Sequence, residues 1–181
     1  TASCTGGTIT FTGLPTNLAA GQSFNFGFSY TMPSSGSVAV NTSVAASGDA
    51  NSANNSASGS TGVSTISMSG TVFSDTDSNA IQNGVETGTN AGGLNVVIVD
   101  SANKVLAVAS VGSNGAWTTS VPTGTGYSAY ITTASPTVGS TVTPTVALPT
   151  GWAVTGENFN GTVDGTANGI LTGINASSAV I

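Results

Sequence analysis

The chain has 181 residues with one basic side chain (Lys104), seven acids and a charged fraction of only 4%, so it has almost nothing with which to neutralise phosphate. That excludes nucleic acid as a partner. With no His, no Arg, one Lys and one Cys it also lacks nearly every nucleophile–base arrangement used in covalent catalysis. A hydrophobic content of 38% excludes simple disorder, and no apolar run approaches the roughly 20 residues of a spanning helix.

Short runs alternating apolar and polar, broken by Gly, Pro, Asn and Ser, predict strands throughout and an all-β fold. Cys4 stands alone, so no internal disulfide is available; it is expected as a small buried apolar residue, with pairing outside the chain as the alternative. Residues 1–10 carry neither the charged segment nor the apolar core of a signal peptide, so a secreted protein is expected to be represented here by its mature product or an excised piece. Ile9 and Phe11 alternate with Thr8, Thr10 and Thr12. After Leu14-Pro15, a second run puts Phe24, Phe26, Phe28, Tyr30 and Met32 on one face. A turn at Pro33-Ser34-Ser35-Gly36 leads into Val38, Val40, Thr42, Val44 and Ala46, again one-sided. Residues 49–60, rich in Asn, Ser and Gly, are expected to be a loop or linker.

A second series begins at Val63. Ile66, Met68, Gly70 and Val72 alternate, and Leu94, Val96 and Ile98 form the next strand. Asp100-Ser101-Ala102-Asn103 turns it back into residues 105–111. Ser113-Asn114-Gly115 is a tight turn before Trp117, Thr119 and Val121, and Pro122-Thr123-Gly124 turns again into 127–132. Strands over 142–148 and 170–174, with a Gly151-Trp152 corner between them, complete the series. Turn signals at this interval predict β-sandwiches with Greek-key connections. Trp117, Tyr127 and Trp152 are expected as core or corner residues, because a sandwich poor in Leu needs large rings; a sugar-stacking platform is the alternative.

Between the first two strands of this series lies D-T-D-S-N-A-I-Q-N-G-V-E, residues 75–86, in a chain that otherwise has few acids. Side-chain oxygens fall at loop positions one, three, five and nine (Asp75, Asp77, Asn79 and Asn83), and Glu86 closes the loop at position twelve. That is the spacing of a calcium loop, in which position seven, here Ile81, offers its backbone carbonyl. Calcium takes about six to eight hard oxygens, and alternate residues of a coiled loop can all point at one ion. Two positions depart from the pattern. Position six is Ala80, where a positive φ favours Gly, and position nine is Asn83 rather than an acid. A modest affinity is expected, about 10⁻⁴ to 10⁻³ M. A polar surface loop is the plainer alternative.

The run S-G-T-V-F-S-D-T-D-S-N-A-I-Q-N-G-V-E-T-G-T-N-A-G-G-L-N-V-V-I-V-D, with S-N-G-A-W-T-T-S-V-P-T-G-T-G-Y and L-P-T-G-W-A-V-T-G-E-N, resembles the Sdr-type B repeat of bacterial surface adhesins and its relative, the Cna-B stalk domain. The resemblance implies an Ig-like β-sandwich over residues 61–181, with Asp75, Asp77, Asn79 and Glu86 as calcium ligands. Cna-B relatives often carry a Lys–Asn cross-link between first and last strands. Lys104 lies mid-domain and is the only lysine, so no such bond is expected. Residues 1–60, through G-G-T-I-T-F, L-A-A-G-Q-S-F and A-N-N-S-A, are similar to the back half of an Ig-like conserved-repeat surface module. That half-sandwich is expected to be completed by strands from outside the chain, because an open apolar face and unpaired edges are sticky.

The expected function is therefore structural: an adhesin stalk module or filament subunit, extracellular or on a bacterial cell surface, stiffened by calcium, associating with neighbouring copies and spanning no membrane. A carbohydrate- or surface-binding sandwich is the alternative. Among enzymes only a two-carboxylate glycosidase survives, drawing on Asp100, Glu157 and Asp164, and the expectation is that the chain is not an enzyme.

Overall fold

The period-two patterning is realised as short strands, antiparallel in every strand pairing, in a computed structural model that describes residues 2–5, 8–13, 22–25, 27–30, 36–45, 48 and 50–176. The fold is all-β; the helical structure among the described residues is one 3₁₀ turn, Ser52–Asn54. Two units divide the chain, Thr1–Thr31 and Met32–Ile181.

In the first unit β1 (Ala2–Thr5) pairs with β2 (Thr8–Phe11), from Ala2 opposite Phe11 to Thr5 opposite Thr8. Ile9 and Phe11 are the less exposed residues of β2, as alternation demands. The side-chain expectation for Cys4 lies outside the described residues. The aromatic run differs from its prediction. Residues 22–25 and 27–30 form no strand, and Phe24, Phe28 and Tyr30 are 48%, 42% and 44% exposed. The Phe28 and Tyr30 rings stack obliquely, with centroids 6.1 Å apart. Alternation supplies an apolar face, but a strand also needs a neighbour for its N–H and C=O groups. Phe26 and Met32 fall outside the described residues.

The second unit opens with a hairpin of β3 (Ser37–Ser43) and β4 (Ser56–Gly62), in register from Ser37 opposite Gly62 to Ser43 opposite Ser56. By this division the hairpin goes with the second unit, although the sequence reading drew its boundary at residue 60. β4 corrects the loop expected over 49–60. Its residues are Ser, Ala, Gly and Thr, all exposed, so no apolar period marks them, yet their backbone completes the β3 ladder.

The sandwich follows: β5 (Thr65–Thr71), β6 (Asn95–Val99), β7 (Val105–Ser110), β8 (Ala116–Pro122), β9 (Tyr127–Thr132), a small β10 (Asn158–Phe159) and β11 (Thr162–Val163) hairpin, and β12 (Ile170–Ile174). A four-stranded sheet has the order β12-β9-β6-β7; β5 and β8 pair separately. Met68 and Val121 of the two-stranded sheet share one buried core with Val96, Ile98, Ala107, Ala129 and Ile174 of the larger one. The other face of the larger sheet buries Val97, Val99, Val105 and Tyr130 beneath Val142 and Val146. Strand β6 is thus sealed on both faces, with Val97, Ile98 and Val99 at 0% exposure. Each such side chain contributes about 1.5–3 kcal/mol.

The segment covering that outer face was expected as a strand over 142–148. It is instead irregular, tied to the sheet by isolated bridges of Thr141 to Lys104 and Ala147 to Thr132. Pro144 lies at its middle and has no N–H to give a ladder. Trp117 packs on the first core, and Tyr127 is buried with its hydroxyl donating to Pro122 O at 3.2 Å. Trp152 stands 41% exposed just past the turn at Gly151.

Candidate metal site and the neighbouring acid pair

Beyond β5 the chain leaves the sheet through a two-stranded stem. Phe73 bridges Gly88, and Ser74 N–H donates to Thr87 O at 2.9 Å. The stem is locked from outside by the turn before β8: Val72 N–H donates to Gly115 O at 2.9 Å, and a Cβ on Gly88 would lie 1.8 Å from Asn114 O. Only glycine fits there, so residues 75–86 project as one loop from a fixed base.

Within the loop the backbone winds around the acids. Asp75 accepts from the N–H groups of Asn79 (3.2 Å) and Ala80 (3.0 Å), and Asp77 Oδ1 accepts from Asn79 N–H at 3.2 Å. Glu86 returns to hold both limbs: Oε1 takes the Thr76 N–H at 2.6 Å and Oε2 the Asn83 N–H at 3.0 Å. One carboxylate oxygen from each of Asp75, Asp77 and Glu86 then lies within 4.8 Å of the other two. The remaining predicted positions serve the loop itself. Asn79 Oδ1 accepts from Ile81 N–H at 2.7 Å while its Nδ2 donates to Asp77, and the Asn83 amide sits 3.1 Å from the Ile81 carbonyl oxygen. Burial pushes the Asp75 carboxyl up, but hydrogen bonds from Ala80, Thr155, Asn79 and Ser78 outweigh it and hold the group below its ordinary value of 3.8.

Ala80 carries the positive φ, +60°, that its loop position requires. Its methyl is compensated by packing: Ala80 is 3% exposed, and a Cβ on Gly156 would lie only 2.6 Å from its Cβ. Thr155 and Gly156 are thus part of the site, one as a hydrogen-bond partner of Asp75 and the other as the surface on which Ala80 rests. Sequence reasoning missed both, because no local pattern joins residues so far apart along the chain.

Glu157 comes next and meets Asp164 across the base of the β10–β11 hairpin. Asp164 N–H donates to Glu157 O at 3.1 Å, and the two carboxyls lie within hydrogen-bond reach. Glu157 Oε1 accepts from Gly169 N–H, whereas Oε2 is buried with no donor. Burial, and then the charge of Asp164, push Glu157 up to about 7. Asp100 is a turn residue, its Oδ1 accepting from Ala102 N–H (2.8 Å) and Lys104 N–H (2.9 Å). Of the three acids considered for glycoside hydrolysis, one closes a hairpin. The other two are neighbours across one hairpin, joined by the backbone bond from Asp164 N–H to Glu157 O.

A cleft of about 300 Å³ runs beside these residues, lined by Val96, Trp117, Leu148, Glu157 and Leu171, with Trp152 also on its wall. No helix among the described residues is long and apolar enough to cross a membrane. Comparisons with protein-family models, with curated proteins and with solved structures find no match.

Proposed function

We propose that this chain is a structural module of a secreted or bacterial cell-surface protein, an adhesin stalk or extracellular filament unit, whose 75–86 loop is stiffened by calcium. The observation that carries this reading is the convergence of three carboxylates within 4.8 Å of one another. Oxygens bound to one calcium at about 2.3–2.6 Å can lie at most about 5 Å apart, so the cluster has the size of a single coordination sphere. Every donor around it is oxygen, which suits a hard cation, and no basic side chain stands among residues 75–86 to neutralise it otherwise. Asp75, Asp77 and Glu86 would supply the charged ligands, with Asn79, the Ile81 carbonyl and Asn83 completing the set.

When bound, the ion supplies a cross-link between the two limbs of the loop. Because it binds the folded loop and not the unfolded chain, it stabilises by mass action. The interlocked stem and the Thr155–Gly156 support pre-form the loop, which lowers the ordering cost of binding. The exposed row of Phe24, Phe28 and Tyr30 supports association with a neighbouring copy through the first unit. Non-enzymatic function is supported by the want of His and Arg and by the single Lys and single Cys. A carbohydrate- or surface-binding role is the second reading, favoured by the exposure of Trp152 beside the cleft. The deciding experiment is calorimetric calcium titration, with melting in millimolar calcium against EGTA. Saturable binding and a higher melting temperature are expected, and identical melts with no heat of binding would sink the proposal.

A further inference from the structure

Glu157 and Asp164 occupy facing positions one step outside the ladder of Asn158 with Val163, joined by the 3.1 Å backbone bond from Asp164 N–H. Their carboxyls lie within hydrogen-bond reach, and both are acceptors when ionised. Glu157 Oε1 already takes the Gly169 N–H, and Oε2 is buried from water without a donor. Two negative charges there would repel, even with Asp164 exposed and its Oδ1 accepting from Thr166 N–H at 2.9 Å, because the Glu157 oxygen has no solvent contact of its own. One proton between them turns the repulsion into an O–H···O bond and satisfies the buried oxygen.

We propose that Glu157 and Asp164 share one proton, and that this proton makes the pair a pH-sensitive staple between the β10–β11 hairpin and the entry to β12. What the staple holds is visible in the backbone. Gly169, donor to Glu157, passes its own carbonyl to Ile131 N–H of β9 at 3.3 Å, and the strand that follows carries Ile174 into the core at 1% exposure. Losing the proton sets repulsion against that junction and loosens the start of β12. The titratable groups around Glu157 are Asp164 from the end of β11, with Asp75 from the acidic loop and Tyr130 from β9 lining the same cleft. The 168–170 segment contributes backbone N–H groups alone, and Lys104, the chain's one basic side chain, stands at the β6–β7 hairpin.

The direction of the pH effect follows. Glu157 is raised from 4.5 to about 7 in the folded protein, so the folded state holds an extra proton between those values. Stability is fully present below 4.5, is lost as pH rises through about 7, and is level above it. The pair lies outside the 75–86 loop, so the inference stands whether or not calcium binds there.

Melting curves from pH 4.5 to 8.5 in EGTA test it, on the wild type, Glu157→Gln and Asp164→Asn. The wild-type melting temperature is expected to fall by several degrees up to pH 7 and then level; Glu157→Gln, which removes the titrating group, should lose that fall, and Asp164→Asn, which keeps the burial of Glu157, should show a smaller one. Carboxyl carbon NMR of the wild type gives a direct readout, since the chain has two glutamates, Glu86 and Glu157. One should titrate near 7 and move down in Asp164→Asn, staying above the ordinary range because burial, the larger cause, remains. The proposal is overturned if no glutamate titrates above the ordinary range, if Asp164→Asn leaves that titration unmoved, or if all three proteins share one pH slope. It is equally overturned if calcium or sodium restores wild-type stability at pH 8 through these two acids, since the pair then holds a cation instead of a proton.

Discussion

The 75–86 loop and the Glu157–Asp164 pair are built from the same carboxyl groups and treat them in opposite ways. In the loop, backbone N–H groups of Thr76, Asn79, Ala80 and Asn83 converge on the acids, and Asp75 is held below its ordinary range. At the pair, backbone N–H groups of the 168–170 segment also approach Glu157, but the group is partly buried, its second oxygen has no donor and a like charge faces it, so Glu157 is pushed up to about 7. The lesson is that burial of a carboxyl oxygen without a donor, more than the density of acids, decides whether a cluster stays charged. A cluster that stays charged attracts a cation; one that does not holds a proton.

The comparison is sharpened most by adding calcium. At a hundredfold excess over the dissociation constant, binding should stabilise the protein by about 2.7 kcal/mol, roughly 5–10 °C in melting temperature for a chain of this size. Asp75→Ala and Glu86→Ala should abolish that shift, and Glu157→Gln should leave it intact; calorimetry and melting with and without EGTA read both. Next in size is Gly156→Ala, which sets a methyl 2.6 Å from the Ala80 Cβ. Overpacking of this kind costs about 1–3 kcal/mol, and because Ala80 belongs to the loop, urea unfolding and calcium affinity should weaken together.

A pH series on the calcium-free protein separates the two clusters by sign. Asp75, lowered from 3.8, supports the fold above that value and loses its contribution as pH falls through its folded pKa. Glu157 acts in the opposite direction, over the window from 4.5 to about 7. Asp75→Asn should therefore remove part of the acid limb and leave the decline toward neutrality unchanged. The smallest effect is expected for Ala80→Gly. Relief of the left-handed backbone, about 1 kcal/mol, is offset by loss of a buried methyl, about 0.8 kcal/mol. Thermal melts should agree within about 0.5 kcal/mol.

Much of the fold was legible because one-sided burial enforces a period of two. Met68, Val96, Ile98 and Val121 all face the core that alternation predicted. The loop acids were legible because side-chain oxygens at alternate residues of one short loop are brought together by the loop itself. Two regions were read wrongly for complementary reasons. The described residues 22–25 and 27–30 lie in the alternating pattern without a ladder among the described residues, and Ser56–Gly62 has a ladder without the pattern.

The sequence by itself determined an all-β chain, a loop of closely spaced oxygens and the want of basic or nucleophilic groups, because each of these depends on residue type and short-range spacing. Tertiary structure alone decided that β6 is sealed on both faces, that Gly156 carries Ala80 while Thr155 reaches Asp75, and that Glu157 confronts Asp164 beside a buried oxygen. Those facts depend on which distant segments come into contact. Burial and the supply of hydrogen-bond donors, on which the charge of a carboxyl depends, are settled only there.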